Sequence, residues 1–346
     1  MSYRDLAAAA RGQIGPHCRA CPVCDGRACA GVIPGPGDKG TGRVAGRNWE
    51  AWQALRVNMD TLHGSFLADT RATVLGRTLS LPVLVGPVGD VQRHYGEKYD
   101  TASYNRCVLE AAAGEGTLAL TGDGLDASIM SEACALIGEL DGRGIPTVKP
   151  WDARTLDGKL EEALAARPAA VAMDIDAAGL PFLRGQEPPA GAKSPAEISE
   201  VAARCHEAGV PFVLKGVMTA SAAERAAEAG VDAIVVSNHG GRVLDGTPAT
   251  AEVLPSIAAA VGGDVEVLVD GGVRSGLDVF RALALGARAC LVCRPFVVAA
   301  FGGGADGVRS YLDELRCELT DVMEMCGAAT TADVTPEMIW AAPAAR

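Results

Sequence analysis

The stretch PFVLKGVMTASAAERAAEAGVDAIVVSN, residues 211–238, contains a strand, a helix and a second strand in succession. Residues 211–217 and 233–238 are apolar runs, and the segment SAAERAAEAG between them consists mostly of good helix formers and ends in glycine. Both runs are continuously apolar rather than alternating, which is typical of parallel strands that are covered on both faces. The stretch therefore predicts a βαβ unit of a parallel sheet.

The same alternation begins at residue 81 and continues towards the end of the chain. Eight short apolar runs can be counted, at 82–88, 117–122, 145–150, 170–176, 211–217, 233–238, 265–272 and 289–295. Helix-like segments lie between them, and residues 308–327 carry apolar side chains at helical spacing, as expected for a last helix. Eight such units predict an α/β protein with a (β/α)8 TIM-barrel fold.

The chain is long enough for a barrel with an additional segment. It has 346 residues, of which 49% are hydrophobic and 21% charged, a composition typical of a well-packed globular protein. We assign residues 1–65 to a Cys-rich N-terminal extension that packs on the barrel, and residues 66–346 to the barrel itself.

The charge of the chain narrows the class of partner. The formal net charge is −12 and no run of basic residues occurs, which argues against nucleic acid as a partner and favours small molecules. No stretch approaches 18 apolar residues in succession, so we expect no membrane span, and the N-terminus does not resemble a signal peptide. We expect a cytoplasmic protein.

Polar residues follow the predicted strands, where a barrel of this class places its functional loops. The most informative block is SNHGGR (237–242), which brings a histidine and an arginine to one glycine-rich turn. The segments VDGGVRSG (269–276) and CRP (293–295) follow the last two strands and have the composition of a phosphate cradle, since glycine backbones and arginines bind anions.

These blocks carry a resemblance to a known family. LKGV, SNHGGRVLD, DGGVRSG, ALALGA and CRP resemble the signature blocks of the FMN-dependent 2-hydroxy acid dehydrogenases and oxidases, among them lactate oxidase and glycolate oxidase. The likeness is dense over residues 205–330, thinner over 66–176 and lost before residue 45. It implies that the barrel binds FMN and that the chain oxidises a 2-hydroxy acid.

The resemblance also implies roles for individual residues. His239 would be the active-site base, Asp176 would pair with it, Arg242 would hold the substrate carboxylate, and Lys215 would lie against the N1/O2 edge of the flavin. The other residues that the resemblance assigns to the cofactor site are Pro87, Val88, Gly89, Thr121, Lys149, Asp174, Ser237, Asp270, Gly271, Gly272, Arg274, Cys293 and Arg294.

Three departures from the family concern the substrate. The segment CAGVIPGPGDKG (29–40) lacks the tyrosine that binds the substrate carboxylate in the family, and we name Tyr95 as a candidate replacement. Trp151 stands where a tyrosine is usual. The lid that precedes Lys215 is short, and Arg184 is the candidate for its arginine. A short lid favours a substrate bulkier than lactate, or a protein that accepts electrons.

Two further departures concern charge near the flavin. Lys149 and Asp174 stand where the family usually has glutamine and threonine. They either change the charge balance at the flavin or simply neutralise each other.

Four of the eleven cysteines lie close together in sequence. Cys18, Cys21, Cys24 and Cys29 have the spacing C-x2-C-x2-C-x4-C, which provides enough thiolates for a zinc ion or for an iron–sulfur cluster. A role without metal is a third interpretation. An iron–sulfur cluster near the flavin would favour a dehydrogenase that passes electrons to a redox carrier, rather than a simple oxidase.

Two other functions are compatible with the same barrel. One is an FMN enzyme of the same superfamily that acts on a different substrate, such as an isomerase, and the other is a non-catalytic flavin or metal sensor. The family resemblance further implies a homo-oligomer, with a tetramer as the expected form.

Overall fold

The computed structural model describes residues 1–340, and a barrel of parallel strands forms its centre. The eight strands are β1 Val83–Val85, β2 Leu120–Thr121, β3 Ile145–Val148, β4 Val171–Asp174, β5 Phe212–Val217, β6 Ala233–Val236, β7 Glu266–Val269 and β8 Ala289–Val292. They pair in the order β1-β8-β7-β6-β5-β4-β3-β2, and a bridge from Val85 to Ala119 brings the two ends of the sheet together. Each strand lies within one of the eight predicted runs, so the predicted TIM barrel is confirmed.

A helix follows each strand. These helices are Thr101–Gly114, Ser128–Glu139, Ala153–Ala165, Pro195–Glu207, Ala220–Glu228, Thr250–Val261, Gly276–Ala284 and Arg294–Met325. Several begin at a side-chain cap, as at Ser194, whose hydroxyl accepts from the Glu197 amide while the Glu197 carboxylate accepts from the Ser194 amide. Such a cap stabilises a helix by about 1 kcal/mol.

The last helix begins earlier than the sequence pattern predicts. The pattern indicates a start at residue 308, whereas helical structure begins at Arg294, directly after β8, and is interrupted at Gly304, where φ is +60°. The two helical parts lie on either side of a glycine-rich break, and only the second part carries a long helical periodicity.

The strands build two apolar layers because successive side chains point to opposite faces. Leu84, Val213, Val235, Leu268 and Leu291 belong to one buried cluster, while their neighbours along the strands pack in a second cluster together with the helices. A hairpin of two short strands, Ala72–Val74 and Arg77–Leu79, joins the first cluster. Its turn is fixed by Glu266, whose carboxylate accepts from the Leu75 amide at 2.9 Å. Since Glu266 begins β7, the hairpin covers the N-terminal end of the barrel.

The N-terminal extension packs closely on the barrel. Helix Tyr3–Ala10 lies against Arg294–Met325, and helix Val44–Ala54 lies beside the turn that follows β6. Residues Arg56–Val57 pair with Ile339–Trp340 in a small antiparallel sheet, and a further short helix, Val91–Tyr95, follows β1. The division at residues 65 and 66 remains a prediction. Within the described part of the chain, no helix is both long enough and apolar enough to cross a membrane.

Candidate active site

A cavity of about 530 Å³ lies at the C-terminal ends of the strands. Its size falls in the range of sites that bind a cofactor or a small ligand. Most of the residues predicted for the site line it, namely Pro87, Val88, Gly89, Tyr95, Lys149, Asp174, Lys215, His239, Arg242, Asp270, Gly271, Gly272, Arg274, Cys293 and Arg294. The carboxyl ends of different strands therefore bring these side chains to one enclosed volume.

Besides the four clustered cysteines, five predicted residues lie outside the lining. Asp176 and Ser237 contact lining residues from behind, and Thr121 is fully buried at the end of β2. The other two were predicted to contact substrate. Trp151 is buried, with its indole N–H donating to the Asp123 carboxylate at 2.6 Å, and Arg184 is exposed on the surface. Neither has a place in the cavity wall, so this part of the substrate prediction receives no support from the geometry.

The turn that carries His239 is held in an uncommon conformation. His239, Gly240 and Gly241 have φ values of +55°, +61° and +83° in succession. A side chain at position 241 could not be accommodated, because its Cβ would lie 2.7 Å from the Cβ atoms of Asp38 and Val44. The N-terminal extension therefore packs directly on the turn and fixes the direction of the histidine.

A buried amide pair ties the same turn to the extension. Asn48 and Asn238 exchange two side-chain hydrogen bonds, of 2.8 and 2.9 Å, and both side chains are almost fully buried. Asn48 also accepts from the Thr250 amide at 3.2 Å. Sequence reasoning missed Asn48, because one polar residue in an amphipathic helix gives no signal of a long-range partner.

His239 is oriented by a carboxylate. Its Nδ1 lies 3.0 Å from Oδ1 of Asp176. Burial acts to raise the pKa of Asp176, but the charges of His239 and Lys215 outweigh it and lower the pKa below its usual range. The carboxylate is therefore ionised at neutral pH and favours the tautomer of His239 that carries its proton on Nδ1. Nε2 is then free to accept a proton.

Two buried lysines are paired with carboxylates. Lys215 donates to Ser237 at 3.0 Å and lies 3.3 Å from Asp270, while Lys149 lies 3.2 Å from Asp174. Burial acts to lower the pKa of Lys215, but Asp270 and the other nearby carboxylates outweigh this effect and raise it above its ordinary value. Lys215 therefore supplies a permanent positive charge to the cavity. The ion pair of Lys149 and Asp174, one of the two predicted alternatives, is formed.

Three arginines line the cavity without a carboxylate partner among residues 1–340. Arg242 donates to the Gly35 carbonyl, Arg294 to the Pro36 carbonyl at 3.4 Å, and Arg274 to the Cys24 carbonyl at 2.6 Å. Burial lowers the pKa of Arg242, yet an arginine stays protonated at neutral pH. An excess of unpaired guanidinium groups in an enclosed site favours an anionic ligand.

The glycines of the predicted phosphate cradle serve the packing of the extension as well. A Cβ at Gly272 would lie 2.4 Å from the Asn48 carbonyl oxygen, and one at Gly271 would lie 2.9 Å from the Asn48 amide. Trp52 donates to the Gly271 carbonyl at 2.8 Å. Close approach of helix Val44–Ala54 therefore requires glycine at these positions, whatever ligand the loop binds.

One buried acid in the lining was not predicted. Asp123 accepts from Lys159 at 2.5 Å, from the Trp151 indole at 2.6 Å and from the Lys149 amide at 3.1 Å. These bonds join the end of β2 to β3 and to the helix that follows it. In the sequence TGDGLD this aspartate has no feature that separates it from a solvent-exposed loop residue.

Two of the four clustered cysteines lie beside arginines of the cavity. Cys24 accepts from Arg274 through its carbonyl, and the charge of Arg294 acts on the Cys29 thiol, whose pKa is raised by burial. Cys18, Cys21, Cys24 and Cys29 are all free and partly buried. In residues 1–340, no group of three or more His, Cys, Asp or Glu side chains is placed so that it could hold a metal ion. The predicted zinc or iron–sulfur site therefore has no support from the side-chain geometry.

A buried histidine makes the stability of the fold sensitive to acid. Burial and the charge of Arg242 lower the pKa of His94 to about 3, whereas an unfolded chain has a histidine pKa of about 6.5. Between pH 6.5 and pH 3 the unfolded chain binds a proton at His94 that the folded protein does not bind. The free energy of unfolding of the protein should therefore fall by up to about 1.4 kcal/mol per pH unit as the pH drops below 6.5.

Urea unfolding at pH 7, 6 and 5 tests this prediction. The His94→Gln variant lacks the titrating group, so this part of the pH dependence of its free energy of unfolding should vanish. Wild type alone loses stability through His94, and the difference in unfolding free energy between wild type and variant should therefore narrow as the pH falls. A difference that stays constant over this range would contradict the prediction.

Comparison with known proteins places this geometry in context. The family model described as FMN-dependent dehydrogenase matches residues 36–202 and 183–341. Pre-mycofactocin synthase of Mycobacterium tuberculosis is 50% identical over 128 residues, which are 37% of this chain and 32% of that protein. An L-lactate oxidase of a Roseobacter species is 48% identical over 130 residues, 38% of this chain and 35% of that protein. Each alignment thus spans only about a third of the curated relative.

Solved structures match over nearly the whole chain. Mandelate oxidase with benzoyl-formic acid superposes with a TM-score of 0.79 at 29% identity, covering 98% of this chain and 97% of that one. A structure described as a lactate oxidase of Pediococcus acidilactici superposes with a TM-score of 0.80 at 26% identity, covering 99% of this chain and 94% of that one. Together with the family match over residues 36–341, these similarities show that the chain belongs to the FMN-dependent dehydrogenase family.

Proposed function

We propose that this chain is an FMN-dependent oxidoreductase that oxidises a 2-hydroxy acid to the 2-oxo acid. One observation carries the proposal, namely that a histidine oriented by an ionised carboxylate faces the same cavity as an arginine without a carboxylate partner. A 2-hydroxy acid requires both groups, because a base must take one proton while a cation holds the carboxylate in place.

The reaction removes two electrons and two protons from the substrate. FMN, when bound, would supply the electron acceptor and take a hydride equivalent at N5. His239 would accept the other proton on Nε2, and Asp176 would stabilise the imidazolium that forms. Lys215, protonated and buried, would stabilise negative charge on the nearby edge of the flavin.

Unpartnered polar atoms support the assignment of the cofactor site. Nη2 of Arg274, Oδ1 of Asp270, Oδ1 of Asp174 and Oγ1 of Thr121 are buried without a hydrogen-bond partner among the described residues. Buried polar atoms usually have partners, and three of these four belong to residues that line the cavity, Arg274, Asp270 and Asp174, which supports a bound molecule there. We assign Arg274 and Arg294 to the phosphate, Asp270 to the ribityl hydroxyls, and Asp174 and Thr121 to the ring.

Arg274→Gln should weaken FMN binding. The variant loses the charge beside the phosphate, and a hydrogen bond to a charged group contributes about 1.5–3 kcal/mol, so the dissociation constant should rise by about 10- to 150-fold. Titration of apoprotein with FMN, followed by quenching of flavin fluorescence, measures the change. Arg309→Gln is the matched control, since Arg309 bonds Asp306 at the surface. Equal affinities of wild type and Arg274→Gln would remove Arg274 from the phosphate site.

The substrate side of the cavity favours a side chain larger than a methyl group. Leu180, Phe182, Leu183, Leu125 and Ile129 are among the residues that line the cavity, and apolar lining selects apolar substrate groups. We therefore propose a substrate bulkier than lactate.

A panel of 2-hydroxy acids added without oxygen tests the function. The FMN-loaded protein should lose its flavin absorbance with at least one acid, and a bulky acid such as mandelate should act faster than lactate. If every acid leaves the absorbance unchanged, the proposed oxidation is wrong, and an isomerase or a flavin sensor becomes the better assignment.

We further propose that the enzyme is a dehydrogenase that passes electrons to a carrier. Support comes from the position of the cysteine cluster, whose Cys24 carbonyl accepts from Arg274 and whose Cys29 thiol is acted on by the charge of Arg294, two arginines proposed to bind the FMN phosphate. A metal there would require the four cysteine side chains to rearrange. Analysis of iron, sulfide and zinc in protein purified without oxygen, together with reoxidation rates in air and with a dye acceptor, tests this assignment. Fast reoxidation by oxygen and no metal would favour an oxidase.

A cytoplasmic location and a homotetramer are also proposals; the N-terminal sequence supports the first and the family resemblance supports the second. Sedimentation of the FMN-loaded protein measures the oligomeric state directly.

A further inference from the structure

One histidine in the cavity wall has no part in the proposed reaction. His94 lies on the short helix Val91–Tyr95 that follows β1, and it is 5% exposed. Its ring lines the cavity together with His239 and Arg242. Both His94 and Arg242 hydrogen-bond the backbone of the same residue, Gly35, which places the two side chains in one part of the cavity wall.

A single residue of the N-terminal extension orients both side chains. The Gly35 amide donates to Nδ1 of His94 at 3.0 Å, and the Gly35 carbonyl accepts from Nη1 of Arg242. Gly35 has a φ of +133°, and a Cβ there would lie 2.7 Å from the Cβ of His17. The backbone at Gly35 is therefore closely packed and serves as a fixed support for the two groups.

These contacts determine where the histidine carries its proton. A backbone amide can only donate, so Nδ1 accepts and the neutral ring carries its hydrogen on Nε2. Among residues 1–340 the hydrogen bond recorded for the ring is the one at Nδ1, and Nε2 has none. Phe182 packs against the ring at a centroid distance of 5.5 Å and prevents it from turning away. The result is a neutral donor of fixed direction beside an unpaired guanidinium group.

We propose that His94 is a substrate-binding residue whose Nε2–H donates to a carboxylate oxygen of the 2-hydroxy acid held by Arg242. The inference rests on the proposed function for the identity of the substrate. An oxyanion suits both donors, because a charge-assisted bond to Arg242 and a directional bond to His94 together fix the plane of the carboxylate. A neutral donor adds this direction without adding a second buried charge.

Two substitutions at position 94 distinguish the role of the Nε2–H donor from that of the bond between Nδ1 and the Gly35 amide. Asn at position 94 has an oxygen near the place of Nδ1, so it can still accept from Gly35, but it has no donor that reaches the position of Nε2. Gln has its amide N–H near the position of Nε2. His94→Asn should therefore lose the bond to the carboxylate, and His94→Gln should retain it.

Oxalate is the probe, since it carries carboxylates and has no C–H bond to oxidise. Its dissociation constant for the FMN-loaded protein is measured from the perturbation of flavin absorbance. We expect the constant to rise at least tenfold in His94→Asn and less than threefold in His94→Gln. His206→Asn is the matched control, because it makes the same change at a surface histidine bonded to Asp232. Thermal unfolding checks that each variant folds.

The outcomes distinguish this inference from the proposed function. If His94→Asn binds oxalate as tightly as wild type, or if His94→Gln is as weak as His94→Asn, the inference is wrong while the oxidation can still occur. If no 2-hydroxy acid reduces the flavin but oxalate binding depends on the Nε2–H donor, the inference holds and the oxidation is wrong. If wild type does not bind oxalate, His94 has no role in carboxylate binding.

Discussion

His239→Asn is expected to slow reduction of the bound flavin by about 10²- to 10⁴-fold, the usual contribution of a positioned general base. Asparagine is the suitable replacement because position 239 has a φ of +55°, and asparagine tolerates this left-handed conformation better than most residues. The new side chain cannot accept a proton near neutral pH. The rate is measured by rapid mixing with a 2-hydroxy acid in the absence of oxygen.

The His239→Asn substitution should slow the chemical step without weakening FMN binding. The proposed phosphate ligands Arg274 and Arg294 are unchanged in this variant, so its FMN content should equal that of wild type. His206→Asn provides the control, since His206 and Asp232 form a histidine–aspartate pair of 2.8 Å outside the cavity. Reduction of His239→Asn at the wild-type rate would show that another group takes the proton.

The barrel could be predicted from sequence because both faces of its strands are buried. Few folds other than a parallel α/β sheet match a pattern of continuous apolar runs of four to eight residues that are separated by amphipathic segments. The last helix was placed incorrectly at its start because FGGG (301–304) suggests a loop, whereas helical structure begins at Arg294 and resumes after Gly304. Packing of Phe296 and Phe301, both fully buried, stabilises the first part.

Many of the residues that line the cavity could be predicted for a similar reason. In a barrel, the carboxyl ends of all strands meet on one face, so a polar residue at the end of a buried run is directed towards a shared volume. Lys149, Asp174, Lys215 and Asp270 were found in this way, and all four line the cavity. Trp151 was predicted to contact substrate but lies outside the lining, because its indole N–H bonds the buried carboxylate of Asp123, a partner that spacing does not reveal.

The contribution of the N-terminal extension could not be predicted. Gly35 and Asn48, from an irregular loop and one short helix, hydrogen-bond Arg242 and Asn238, and Asp38 packs against Gly241. Such contacts join residues about 200 positions apart in the chain, and they have no period that a single sequence could show. These contacts come from the N-terminal part of the chain, in which the sequence resemblance to the family is lost or weak.

Arg242→Gln is expected to weaken binding of a 2-hydroxy acid by about 10²-fold, since a hydrogen bond to a charged group contributes up to about 3 kcal/mol. The variant loses the only cation of the HGGR turn. Arg242→Lys keeps the charge but not the planar pair of donors, so its loss should be smaller, about tenfold. The Michaelis constant and kcat/KM for one acid, measured side by side in the three proteins, give the comparison.

A neutral substrate analogue tests whether Arg242 acts by binding the carboxylate of the substrate. The amide of the same 2-hydroxy acid has no carboxylate, so its oxidation should be slow in wild type and nearly unaffected by Arg242→Gln. If acid and amide lose the same factor, Arg242 acts by supporting Gly35, to which it donates, and the carboxylate is bound elsewhere. If only the acid is affected, the excess positive charge of the cavity is used to hold the substrate's negative charge. That result would also explain why Arg242, partly buried in the cavity wall, has a backbone carbonyl and no carboxylate as its partner among residues 1–340.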